Sequence, residues 1–214
     1  MRILSFVLPA VVLSLVLQAQ TSAPVKKVAD TKAPPAAVKN FKESGSPVAK
    51  VGIELYTDYE CPACREFYLN VLPILNREYI ATGKVHLLHR DFPLPQHKFT
   101  KIATRYANAA GQIGKYDLVA KQLFDTQPEW SQNGNIDVQI GKVLPPGDLV
   151  KVRELVTSDA HLDDTVNADV QMGSYTDHLQ QTPTIVIVAN GKREVIGGAP
   201  PYSILKQYID SKLK

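Results

Sequence analysis

Cysteine is nearly absent from this 214-residue chain, which carries two, at positions 61 and 64. That count excludes a disulfide-dense mini-scaffold and any four-cysteine zinc or iron–sulfur site held by one chain. A cationic folded face is missing too. The formal charge is +3, but Arg2 and six Lys between residues 20 and 50, set against two acids, supply +5, leaving 17 basic and 19 acidic residues from Val51 onward. Nucleic-acid binding needs its positive charge on a folded surface, so nucleic acid is not an expected partner. No apolar run reaches the roughly 20 residues of a membrane-spanning helix. The longest, from Ile3 to Leu17, is broken by Ser5, Pro9 and Ser14. Internal repeats are lacking as well. What remains is a globular composition, 44% hydrophobic with 15 Pro and 12 Gly, of a size for one or two domains.

The apolar run follows Met1-Arg2 and gives way to small and polar residues, the pattern of a secretory signal peptide over residues 1–19. Cleavage after Ala23 and an uncleaved membrane anchor are the alternatives. Either way the body is exported, to a periplasmic or secreted location. Residues 20–46 are rich in Ala, Pro, Lys, Thr and Ser with Phe41 as their only aromatic, which predicts a disordered linker. Residues 47–214 are enough for one well-buried domain.

Within that domain Val51, Ile53, Leu55 and Thr57 alternate with polar or small neighbours, which predicts a strand. Pro62 suits the first turn of a helix, and Phe67, Val71, Leu75 and Tyr79 form its stripe, with Pro73 as a kink and Gly83 as a stop. Lys84–Phe92 reads as a second strand, parallel to the first because a helix connects them. Helical spacings then dominate about residues 97–178, with Asp148 as the expected cap of one helix. Thr184–Ala189, Asn190-Gly191 and Glu194–Ile196 read as an antiparallel hairpin, and Ser203–Leu213 as a final helix. The fold class is α/β: a βαβ plus ββα core with an inserted helical subdomain.

Cys61-Pro62-Ala63-Cys64 lies where the first strand hands over to the first helix. Free N–H groups and the dipole at a helix start stabilise a thiolate, the reactive form of cysteine. Residues three apart on a helix are close enough to close a disulfide, so the pair can cycle between dithiol and disulfide. Other readings of the motif are weaker. Zinc would need a second pair of ligands, and His86 and His89, three apart on a strand, face opposite sides of the sheet. Haem attachment would need His where the chain has Arg65, and a structural disulfide closing so short a loop would add little stability. No metal and no cofactor is expected. Thr182-Pro183, just before the β-rich run, is by itself an ordinary strand opener.

Taken together, Thr57-Asp58-Tyr59-Glu60-Cys61-Pro62-Ala63-Cys64, Arg90-Asp91-Phe92-Pro93, the helical block, Thr182-Pro183-Thr184 and the Asn190-Gly191 hairpin resemble the DsbA-like thiol-disulfide oxidoreductases of the thioredoxin superfamily. The resemblance covers roughly Val48 to Lys214. It implies that Cys61 is the attacking nucleophile, Cys64 the resolving thiol and Pro183 a cis-proline beside them. It also implies that Thr182 offers backbone contacts to a substrate peptide, with Pro62 and Ala63 also in the substrate-binding set. Two positions depart from the family pattern: Leu55 stands where many members carry a buried acid, and Gln181 where Gly is common. Glu54 is next to Leu55 but on the other side of the strand. Glu60 reads as an exposed acid complementing the helix dipole, and Phe92, Pro93 and Tyr59 as candidates to line an apolar peptide groove.

The expected activity is exchange with cysteines of secreted proteins through a mixed disulfide at Cys61, as an oxidase recharged by a membrane redox partner. A reductase or isomerase using the same motif is the alternative, and a redox-inactive peptide-binding module is the alternative of another class. Isomerases of the superfamily dimerise through an added N-terminal domain, for which residues 20–46 are too short, so a monomer is expected.

Overall fold

The protein is described by a computed structural model over residues 40–214. Residues 1–19, where a signal peptide is expected, and most of the segment 20–46 lie outside the described residues. Five strands form one sheet: β1 (Glu43–Gly45), β2 (Val51–Thr57), β3 (Val85–Asp91), β4 (Thr184–Ala189) and β5 (Lys192–Gly197), in the order β1-β3-β2-β4-β5. β2 and β3 are parallel, with Ile53 opposite Leu87; β4 runs antiparallel on the other side of β2, with Leu55 opposite Ile185. The parallel pair follows from the helical crossover between its strands. The β4–β5 hairpin turns at Asn190 and Gly191, whose φ values of 52° and 72° suit a two-residue turn that matches strand twist.

The boundary drawn from composition needs correcting. Phe41 to Gly45 were read as linker, but β1 pairs antiparallel with β3, Glu43 opposite Leu88. Phe41 lies so close on Gly111 that a Cβ there would meet its ring at 2.4 Å, and it sits 5.3 Å from the Tyr116 ring. Lys42 is buried in ion pairs with Asp91 and Asp169. Three residues are too few to display an alternating pattern, and a lysine in an Ala/Pro/Lys-rich stretch gives no sign that it goes inside.

Between β2 and β3 one continuous helix covers residues 62–80, with π-helical turns at Phe67–Val71 and Asn76–Ile80. An apolar stripe at strict four-residue spacing overshoots a 3.6-residue turn, and the wider turns bring Phe67, Leu75 and Tyr79 back onto the sheet. The first π turn also precedes Pro73, which has no N–H to offer a regular ladder. Gly83, at φ 73°, ends the segment.

The helices after β3 are Thr100–Gln112, Tyr116–Asp125, Gln127–Trp130, Ile136–Ile140, Pro146–Ser158 and a segment over 162–176; the last helix is Tyr202–Leu213. Asp148 is not the cap expected: Pro146 opens its helix, and the Pro145 carbonyl accepts the Asp148 and Leu149 N–H groups at 3.0 Å each. No described helix is long and apolar enough to cross a membrane.

The sheet's two faces differ. Val51, Ile53, Leu55, Ile185 and Ile187 pack with Phe67, Leu75, Leu205 and Ile209 into one apolar core. The opposite face holds Glu54 between Arg90 and Arg193, and Tyr56, whose hydroxyl donates to Asp177 at 2.8 Å.

Candidate active site

Cys61 is the N-cap of the 62–80 helix, at φ −77° and ψ 119°, with Pro62 in the first helical position. The extended conformation turns its sulfur back over the helix start, where it accepts the Cys64 N–H at 3.4 Å. From the opposite side its thiol donates to the Thr182 carbonyl at 3.3 Å. The Thr182–Pro183 bond is cis. One turn along the helix, Cys64 is wholly buried, and its sulfur accepts the Asp58 N–H at 3.5 Å. Both cysteines are free thiols. Pro62 and Ala63 between them are exposed. The six residues singled out from the sequence, Cys61, Pro62, Ala63, Cys64, Thr182 and Pro183, thus meet where β2 ends and β4 begins, in the middle of the sheet, although 118 positions separate Cys64 from Thr182.

The two thiols are electrostatically unlike. The Cys64 thiol hydrogen-bonded to its sulfur is the largest influence bringing Cys61 down to about 6; burial opposes it, and the N–H groups of Cys64 and Ala63 add to it. Burial pushes the Cys64 thiol well above its ordinary range, and the Cys61 sulfur beside it adds to the rise. Cys61 is therefore the group that ionises near neutrality.

No carboxylate stands where family members carry one. Leu55 is wholly buried among apolar side chains, and Glu54 is held on the far face by Arg90 and Arg193. The Thr182 side chain is buried beside the two sulfurs and also draws both thiols down.

The loop before Cys61 is tied down by groups that the motif alone did not mark. The buried Asp58 carboxylate accepts the Glu60 and Leu94 N–H groups, each at 2.7 Å, and meets His97 Nδ1 at 2.8 Å. Glu60 is less free than expected: its carboxylate accepts the Phe99 N–H at 2.6 Å, which fastens the loop to the helical block. Gln127, also buried, donates from Nε2 to the Tyr59 carbonyl at 2.7 Å and the Cys61 carbonyl at 2.9 Å. Its only sequence signal is a lone Gln before Pro128, which says nothing about a target 66 residues away.

Two of the three proposed groove residues are inside. Tyr59 packs on Phe124 with ring centroids 4.9 Å apart, and Phe92 packs edge-on against Tyr56 at 6.0 Å; both are buried. The open surface beside Pro62 and Ala63 is instead a cavity of about 370 Å³ lined by Glu60, Arg65, Glu66, Gln127, Pro128 and Ser131. Gln181 lies on the β5 end, where a Cβ at Gly197 would come within 2.9 Å of its amide nitrogen.

Comparison with known proteins agrees with this geometry. A family model described as thioredoxin matches residues 41–211. The Bacillus anthracis protein named "Probable disulfide bond formation protein D" is 45% identical over 180 residues, which cover 79% of this chain and 77% of the relative. Its Bacillus cereus namesake is 27% identical over the same extent. Among solved structures, Wolbachia pipientis alpha-DsbA1 superposes with a TM-score of 0.67 at 21% identity, covering 80% of this chain and 90% of that one. BdbD from Bacillus subtilis gives 0.67 at 21%, with coverages of 83% and 95%. These two likenesses establish the fold, and the family match with the 45% identical relative establishes the kinship: the chain belongs to the thioredoxin family, as a DsbA-like protein thiol-disulfide oxidoreductase.

Proposed function

We propose that this protein is an exported oxidase that passes the Cys61–Cys64 disulfide to pairs of cysteines in other exported proteins. A substrate thiolate attacks the Cys61 sulfur of the oxidised enzyme, forming a mixed disulfide and releasing Cys64 as a thiolate that takes up a proton. A second substrate thiolate then attacks the substrate sulfur of that bond. The substrate leaves with a disulfide, and Cys61 leaves as a thiolate. Two electrons have moved from substrate to enzyme, and a membrane-bound electron acceptor must remove them for a further cycle.

One observation carries the exchange chemistry and supports the oxidase reading: the Cys61 thiol is brought down to about 6 while Cys64 is pushed up. A stabilised thiolate is a good leaving group and favours the reduced form of the pair, which makes the disulfide the reactive state. The Thr182 carbonyl beside Cys61 supports a role in aligning an extended substrate, since backbone groups beside a reactive residue recognise peptides without regard to side chain. The leader-like residues 1–19 support export.

The test is the reduction potential of the Cys61–Cys64 pair in glutathione buffers, read by thiol alkylation. A value near −120 mV, as known for a dedicated oxidase, is expected; one near −270 mV, like that of thioredoxin, reverses the direction. An insulin-reduction assay in which wild type and Cys61→Ser perform equally sinks the enzymatic reading in favour of a peptide-binding module.

A further inference from the structure

Gln127 opens the single helical turn Gln127–Trp130, directly after the Tyr116–Asp125 helix. A carboxamide nitrogen has two hydrogens, and both of those on Gln127 go to the backbone leading into the reactive helix, at the Tyr59 and Cys61 carbonyls. The Cys61 carbonyl also accepts the Arg65 N–H at 3.1 Å, so both of its acceptor sites are filled. The Cys61 N–H in turn donates to the Asp58 carbonyl at 3.1 Å. Cys61 is therefore held through its own N–H on one side and through its carbonyl, by Gln127, on the other.

That grip matters because of how Cys61 ionises. Its sulfur reaches the Cys64 amide at 3.4 Å only while Cys61 keeps its extended N-cap conformation, and hydrogen bonds weaken steeply as they bend. Without Gln127 the carbonyl keeps only the Arg65 N–H, and tilting about that one bond would carry the sulfur off the helix-start amides. Neighbouring contacts fix the same corner without touching Cys61: Arg65 Nε donates to the Phe124 carbonyl at 2.9 Å, and Trp130 Nε1 to the Leu123 carbonyl at 2.8 Å. Of the described side chains, only Gln127 reaches the Cys61 carbonyl.

We propose that Gln127 is a positioning residue for Cys61, through which the helical block sets the reactivity of the thiol: by holding the Tyr59 and Cys61 carbonyls it keeps the sulfur on the amide hydrogens of the helix start. The proposal rests on the reading of Cys61 as the exchanging thiol.

The test is Gln127→Leu, which keeps the bulk and removes both donors, with Trp130→Phe as a control that loosens the same turn without touching Cys61. In the reduced proteins, thiolate absorbance at 240 nm is followed against pH, and each pair is equilibrated with glutathione. For Gln127→Leu the Cys61 midpoint rises by about one pH unit, and at about pH 8, above both midpoints, the redox equilibrium moves about tenfold toward the disulfide, or about 30 mV for two electrons. Trp130→Phe loses thermal stability and moves neither. Gln127→Asn, one methylene shorter and able to reach at most one carbonyl, moves both part of the way, and it is judged on the same scale if the Leu variant does not fold. Unmoved midpoint and equilibrium in the Gln127 variants, or equal movement in Trp130→Phe, overturns the positioning role while wild-type exchange stands. A wild type that exchanges no disulfide overturns the functional reading itself, and this proposal with it.

Discussion

Around Cys61 and Cys64 the sulfurs meet only uncharged groups, whereas around Lys42 each buried charge meets at least two partners. The Lys42 ammonium contacts Asp91 and Asp169. Asp91 also accepts from Asn108 at 3.1 Å, and Asp169 from Arg90 at 2.7 Å. Burial works against the charge on Lys42, yet its two carboxylates outweigh burial and its pKa is raised. Asp169 goes the other way: burial dominates, Lys42 opposes it, Asp91 adds repulsion, and its pKa is raised. At the thiols no carboxylate acts on either sulfur, and burial, with the Cys61 sulfur adding to it, pushes Cys64 up. The contrast teaches that opposite charges packed together inside make a joint, while thiols held by neutral donors, with no carboxylate on either sulfur, make a reactive centre.

That comparison breaks if the two regions exchange roles on mutation. The largest effect is expected at the thiols: Cys61→Ser abolishes disulfide exchange, and Cys64→Ser stalls at covalent mixed disulfides visible on non-reducing gels. Trapping by Cys61→Ser instead reverses the roles of the two cysteines.

Next is Lys42→Met, which strands two carboxylates inside. It should cost about 3–5 kcal/mol in urea unfolding, as breaking a buried ion pair does, while the folded fraction keeps its Cys61 titration. Because the folded-state pKa of Lys42 is raised, its contribution to stability is fully present below the unfolded value near 10.5 and is lost as pH climbs through the folded value. Wild type should therefore weaken in strong alkali more than Lys42→Met does.

A smaller effect separates the redox states. Cys61, ordinarily near 9, falls to about 6 in the fold. Its thiolate then stabilises the reduced protein at high pH, and this gain shrinks as pH falls from 9 and is gone below about 6. Thermal denaturation of reduced and oxidised protein across pH 5–9 should show the two converge or cross on the acid side. The smallest effect is expected from Glu66→Ala, which removes an exposed pair with Arg65 and should change stability by no more than about 0.5 kcal/mol.

Much of the core was legible because its signals are local. Alternation marked β2, the Asn190-Gly191 turn marked the β4–β5 hairpin, and the two cysteines at a strand-to-helix junction marked the reactive end. β1 was not legible, since its pairing with β3 reaches across some 40 residues and shows no pattern of its own. Tyr59 sits in the loop before Cys61 and Phe92 directly after β3, where exposure is a natural expectation; only the arrival of Phe124, Tyr56 and Gly173 from elsewhere puts them inside. The absence of an acid at Leu55 was plain from the sequence, but the destination of Glu54, between Arg90 and Arg193, required the neighbouring strands.

By itself the sequence marked the candidate residues for the chemistry and the elements that carry them, because a helix start, a strand period and a two-residue turn are decided within a few residues of chain. Only the tertiary structure decided the environment of that chemistry. Thr182 comes to Cys61 from the start of β4 and Gln127 from the helical block, while Lys42 reaches Asp91 and Asp169 from beyond the expected domain edge. Such meetings depend on the packing of segments far apart along the chain, which no local pattern encodes.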